Sequence, residues 1–180
     1  MCIFSVFSSE IFWTAITALA TIVIAIIAQN QLSKTNTIAS LTCLIDFKNS
    51  FFTEQQRVFV LLIENQWLIF AFEGNQGLFN NKAPKKFKDK FKHNEFLNRG
   101  HFLTQEVDDY LIGNFEDAAL LEKNGVISEK DAEQNFGYYL KLTCENEEIK
   151  KYVKWIQEDD PDVYGNMFSL YKKLNPQSLK

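Results

Sequence analysis

From Ile11 to Ala28 the chain runs 18 residues without a charge, with Thr14, Thr17 and Thr21 as its polar interruptions. At 1.5 Å per residue a helix of that length covers about 27 Å, close to the roughly 30 Å hydrocarbon thickness of a bilayer. Trp13 stands near one end, where indoles favour an interface. The pattern predicts a transmembrane helix over 11–30, with membrane-anchor positions at Ile11, Trp13, Ala18, Thr21, Ala25 and Ala28. The first ten residues hold Glu10 and no Lys or Arg, and Ala18-Leu19-Ala20 lies inside the apolar run, so a cleaved leader is not expected. Lys34, Lys48 and Arg57 all follow the run, which by the positive-inside rule places residues 1–10 outside and residues 31–180 in the cytoplasm.

Past the anchor, Leu32, Ile38, Leu41, Ile45 and Phe52 recur at helical spacing, extending the helix. Thr53-Glu54-Gln55-Gln56 has the form of a capping box and predicts a second helix. Val58 to Ile63 and Trp67 to Phe72 are rich in β-branched and aromatic residues, which suit strand or helix. Helix is favoured over 58–72 because no partner strand is evident. Residues 76–103, with Gly77, Asn80-Asn81, Pro84 and Gly100, read as a long loop.

Beyond that loop the helix signals are dense. Thr104 is expected to cap a helix whose apolar face is Val107, Leu111, Phe115 and Ala118, ending at Asn124-Gly125. Ser128 with Asp131 opens the next, burying Ala132, Phe136 and Leu140. Asn146 caps a short helix with Ile149, Val153 and Ile156, and Asp160-Pro161 starts a last one carrying Met167, Leu170 and Leu174. The expected fold is therefore all-α: a single N-terminal transmembrane helix followed by a cytoplasmic helical bundle.

Charge sharpens this picture in one place. Residues 76–103 hold 7 basic and 2 acidic groups, whereas 104–180 hold 9 and 16, in a chain of net charge -4. Lys82, Lys85, Lys86, Lys88, Lys90 and Lys92 alternate with Phe87 and Phe91. Lysines near a lipid surface each contribute up to about 1 kcal/mol toward anionic headgroups, and rings can dip into the interface. The same composition suits single-stranded nucleic acid, but no RNA-binding signature accompanies it, so of the two ligands anionic lipid is favoured over nucleic acid. A solvated lysine loop with no ligand is the plain alternative.

Glu106, Asp109, Glu116 and Asp117 fall on one side of the helix that begins at Thr104, where clustered carboxylates could hold a cation or perform acid–base work. More often such a stripe is the wet side of an amphipathic helix. His93 and His101 bring no third or fourth ligand, and Cys2, Cys43 and Cys144 match neither a zinc nor a disulfide pattern. Aligning Gly125 with the turn glycine of a calcium loop puts Leu120 and Asp131 where Asp and Glu are needed, and nucleophile-elbow, phosphate-loop and His-Glu-x-x-His patterns are absent. No catalytic residue, metal or cofactor is expected.

Several stretches resemble a bacterial family of membrane-anchored proteins of unknown function. They are Gln29-Asn30-Gln31 after the anchor, Val107 to Leu121, Asn124 to Ser128, Phe136-Gly137-Tyr138-Tyr139 and Asp162-Val163-Tyr164. The resemblance implies an anchored helical domain and supplies no substrate, and the lysine segment has no counterpart in it. The function expected is a membrane-anchored helical interaction or signalling module, by analogy one used in bacterial or phage conflict. The alternatives are an anchored enzyme using the acidic face, or a small membrane-perturbing effector. Thr14, Ala18, Thr21, Ala25 and Ala28 line one face at the period of a helix pair, so a homodimer or a protein partner joins the lipid bilayer as an expected contact.

Overall fold

The computed structural model describes the backbone of residues 3–51 and 53–179, with side chains described except at 3–13, 15–16, 50–51, 95–96 and 178–179. The chain divides into two compact units, Met1–Cys43 and Leu44–Lys180. The first unit is the greater part of helix α1, Ile3–Phe51. Leu19, Ile22, Val23, Ile24, Ile26 and Ile27 are each at least half exposed along it, and Thr21 returns its hydroxyl to the Thr17 carbonyl at 2.8 Å.

Among the described residues no helix is long and apolar enough to cross a membrane. Gln29, Asn30 and Gln31 follow the apolar run at once. The side chains of Ile11 and Trp13 lie outside the described residues, while Ala18, Thr21, Ala25 and Ala28 are exposed on α1. The expected transmembrane helix over 11–30, the single-pass topology and the cytoplasmic-membrane placement are corrected accordingly.

The second unit also departs from the all-α expectation. After α2, Glu54–Glu64, the chain forms β1, Leu68–Glu73, and β2, Gln76–Asn81, joined by a two-residue turn at Gly74-Asn75. β3, His101–Leu103, completes an antiparallel sheet in the order β1-β2-β3. Phe70 pairs with Phe79, and Phe79 with Phe102. The partner that β1 required therefore lies in a stretch whose Gln, Gly and Asn content reads as loop. Between β2 and β3 sit two short helices, α3, Lys85–Lys90, and α4, Glu95–Asn98.

The remaining elements are α5, Thr104–Val107, a π-helical turn at Asp108–Ile112, α6, Gly113–Lys123, α7, Glu129–Glu145, α8, Glu147–Ile156, α9, Gly165–Leu174, and a terminal 3-10 turn, Pro176–Leu179. Several boundaries follow local chemistry. Ser128 and Asp131 form the reciprocal capping box of α7, and Asn146 accepts from the Glu148 and Ile149 amides at the start of α8. Thr53 accepts from the Gln56 amide, but the Gln56 side chain does not reach back, so that box is half formed. The last helix begins at Gly165 rather than at Asp160-Pro161, because 161–164 forms a turn ending with Tyr164 at φ 60°.

One core runs through this unit. Val107, Leu111, Phe115 and Ala118 are buried as their spacing requires, as are Ala132, Phe136 and Leu140 from α7 and Met167 and Leu170 from α9. The sheet is held by an aromatic cluster: Tyr152 lies 5.5 Å from Phe70 and 5.3 Å from Phe79, and Trp155 lies 5.8 Å from Phe70 and 5.6 Å from Phe72. The Glu148 carboxylate accepts the Phe70 amide at 2.9 Å, so one amide on the open edge of β1 is satisfied by α8.

Gly77 marks how closely α8 approaches the hairpin. A Cβ there would meet Trp155 Cζ3 at 2.9 Å and Phe70 Cε2 at 3.0 Å, whereas one at Gly100 would meet nothing within 4 Å. Gly77→Ala is predicted to destabilise the protein by about 1–3 kcal/mol through overpacking, and Gly100→Ala to stay within about 0.5 kcal/mol of wild type. Urea unfolding of the two variants measures the difference; equal midpoints would contradict the docking of Trp155 on the hairpin.

Candidate functional site

The lysine segment is a built structure rather than a loop. Asn81, buried, donates to the carbonyls of Leu97 and Arg99 and accepts the Ala83 amide, tying together both ends of the insertion. The Lys82 amide donates to the Trp67 carbonyl at 2.7 Å. Asn94, also buried, accepts the Leu97 amide and reaches Glu54 Oε1. On this base Phe87 packs edge-on against Trp67 with centroids 4.9 Å apart, and Phe91 packs on Phe87 at 5.0 Å.

The two rings are thus turned toward the core and do not project. The lysines take the other side: Lys82, Lys85, Lys86, Lys90 and Lys92 are exposed and Lys88 is half-buried. Among the described residues none of the six forms an ion pair, since the salt bridges there are made by Arg99, Lys141, Lys150, Lys151 and Lys173. Lys90 rests its ammonium 5.8 Å above the Phe91 ring. Asp89 is the one acidic residue between Lys82 and Lys92.

The four acidic positions separate by role. Glu106 accepts the Leu103 amide and pairs with Arg99 at 2.7 Å, capping α5 one residue earlier than Thr104. Glu116 accepts from the Met167 amide at 2.7 Å and from Asn166 Nδ2 at 2.6 Å, so it caps the start of α9 from a neighbouring helix. Asp109 and Asp117 are exposed. Among the described residues no three His, Cys, Asp or Glu side chains converge to hold a metal ion. His93 and His101 are exposed, and burial pushes the Cys144 thiol up to about 12, leaving it protonated and unreactive.

A polar cluster that periodicity does not reveal surrounds Asp108. The Gly113 amide donates to the Asp108 carbonyl five residues back, closing the π-turn, and a Cβ on Gly113 would come within 2.9 Å of that oxygen. The Asp108 carboxylate accepts the Tyr152 hydroxyl through Oδ2, with the Tyr164 phenol as a second neighbour, while its Oδ1 is buried without a partner. Burial pushes the Asp108 carboxyl above the ordinary carboxylate range, with the two tyrosine hydrogen bonds opposing the rise and Asp109 adding to it. Both phenols are pushed up, by burial first and by the Asp108 carboxylate second. The cluster ties α8, the π-turn and the left-handed Tyr164 into one network.

No family model, no curated protein and no solved structure matches the chain. The geometry of the two clusters therefore stands without a relative to assign it.

The Asp108 network makes a pH-dependent prediction. A carboxyl whose native pKa is raised binds its proton more readily folded than unfolded, so its contribution to stability falls as pH rises from the ordinary carboxylate value through the raised one. Asp108→Asn keeps an acceptor for Tyr152 and removes that titration. Its stability relative to wild type is predicted to rise between about pH 4 and pH 7, and Asp108→Ala to lose about 1–3 kcal/mol by stranding the Tyr152 hydroxyl. Urea unfolding of the three proteins across that range is the check; parallel curves for wild type and Asp108→Asn would contradict a buried titrating carboxyl.

Proposed function

We propose that the chain is a non-catalytic interaction module that docks on anionic headgroups through the lysines of α3 and its flanks. The observation that carries this reading is the division of the segment into two sides: Phe87 and Phe91 face the core while five exposed lysines and the half-buried Lys88 lie without carboxylate partners among the described residues. A lysine ammonium acts as a compact point charge with no preferred plane of recognition. A row of such charges on a short rigid helix suits a surface of many phosphates. With both rings packed, no aromatic platform is left for bases, which weighs against single-stranded nucleic acid.

The rest of the chain is acidic on balance, so the attraction is local and orients the domain with α3 toward the anionic surface. The exposed apolar side chains of α1 give the module a second contact surface, suited to another copy of the chain or to a protein partner, because a helix apolar on several sides is stable only when covered.

The test is binding of the full chain to vesicles of neutral lipid alone and to vesicles containing an anionic phospholipid. Binding to the anionic vesicles is expected to exceed that to neutral ones and to weaken as salt rises. Replacing Lys85, Lys86, Lys88 and Lys90 by Gln should remove that excess, at up to about 1 kcal/mol for each lysine. A quadruple variant that binds anionic vesicles like wild type would overturn the proposal. Tighter binding of wild type to single-stranded RNA than to anionic vesicles would reassign the surface to nucleic acid.

A further inference from the structure

One face of α1 carries a heptad pattern. Ile24, Ile27, Gln31, Lys34, Ile38 and Leu41 alternate three and four residues apart, the spacing that keeps a seam turned toward a second helix. All six are exposed. At about 100° of rotation per residue they share one side of the helix with Val23, well away from the small side chains of Ala18, Thr21, Ala25 and Ala28.

The area is sufficient for a pair. Val23, Ile24, Ile27, Ile38 and Leu41 are each at least half exposed. At roughly 30 Å² per methylene-sized group, they and the stems of Gln31 and Lys34 present on the order of 500 Å² per copy. Two copies then reach the about 1,000 Å² that a specific interface needs.

The order of residues along the seam selects both the occupant and its direction. Lys34 is the one charged residue between Thr17 and Cys43. Two parallel copies would set Lys34 against Lys34, a like-charge contact in the middle of an apolar seam. In an antiparallel pair a single register gives Ile24 the partner's Leu41, Ile27 the partner's Ile38, and Gln31 the partner's Lys34, and a two-fold axis repeats each layer. Apolar layers then meet apolar layers, and the ammonium donates to the carboxamide oxygen. A different protein would have to match a lysine set inside an apolar face, whereas a second copy brings the matching glutamine in the same register.

We propose that α1 pairs with α1 of a second copy in a two-fold antiparallel coiled coil through this face. The contact involves no lysine of α3 and no lipid, so it stands or falls apart from the headgroup reading.

Sedimentation equilibrium of the full chain between about 1 and 100 μM measures the pairing. The mass should rise toward twice 20.9 kDa and no further. Ile27→Gln with Ile38→Gln, at exposed positions, should raise the dissociation constant at least roughly tenfold. Ile22→Gln with Leu32→Gln removes two exposed apolar side chains off the seam and should leave it unchanged. Disulfide trapping under oxidised glutathione reads the direction, with Cys2 and Cys43 replaced by Ser and the buried Cys144 left in place. An equimolar mixture of Ile24→Cys and Leu41→Cys chains should link position 24 to position 41, and Ile24→Cys alone should stay unlinked. A monomer at the highest concentration, an assembly larger than a dimer, or equal weakening by the two double variants overturns the proposal. Self-linking of Ile24→Cys in place of the mixed product overturns it as well.

Discussion

The second unit of this protein depends on Tyr152. Its ring closes the aromatic cluster that seats the sheet on α8, lying 5.3 Å from Phe79 and 5.5 Å from Phe70, and its hydroxyl donates to the carboxylate of Asp108 in the π-turn. One side chain therefore joins the sheet, the eighth helix and the irregular turn that feeds α6. A three-stranded sheet of short strands has little independent stability and needs a helix against it. Here α8 supplies that helix with Tyr152 and Trp155, and Glu148 satisfies the Phe70 amide at the strand edge.

The candidate surface inherits its order from the same seam. β2 ends at Asn81, whose side chain holds the carbonyls of Leu97 and Arg99, and Trp67 just before β1 receives Phe87. The lysines of α3 are thus presented from a framework anchored on α8, through contacts with no flexible tether between. Preorganised charges lose less conformational freedom on binding than charges on a loop, which is why the direction of two phenylalanines matters to the electrostatics of six lysines.

Much of the helical half was legible in the chain. Ser128-x-x-Asp131 and Asn146 cap as their chemistry dictates, and Val107, Leu111, Phe115 and Ala118 are buried at the spacing that marks them as core. The sheet was not legible, because Gln76–Asn81 carries Gly77 and two asparagines and becomes a strand only through pairing with β1 and packing under Trp155. The lysine cluster was visible as charge, but which way Phe87 and Phe91 turn is decided by Trp67, some twenty residues earlier. Glu106 and Glu116 read as one acidic face and instead cap two different helices, since hydrogen-bond partners such as Asn166 and Met167 come from tertiary structure. Asp108 carried no signal, because a π-turn leaves no periodicity over five residues. The apolar run after Ile11 was read as a span, yet among the described residues no helix is long and apolar enough to cross a membrane.

The central claim, that residues 68–103 form a sheet with a fixed lysine helix in a chain that otherwise reads as helical, is tested most directly by residue-resolved amide hydrogen exchange on the full protein. The account predicts that amides paired across β1, β2 and β3, together with Phe70 on Glu148 and Lys82 on Trp67, are protected to an extent comparable with the core of α8. Exchange at unstructured rates through 68–81 and 101–103, with α7 and α8 still protected, would contradict it.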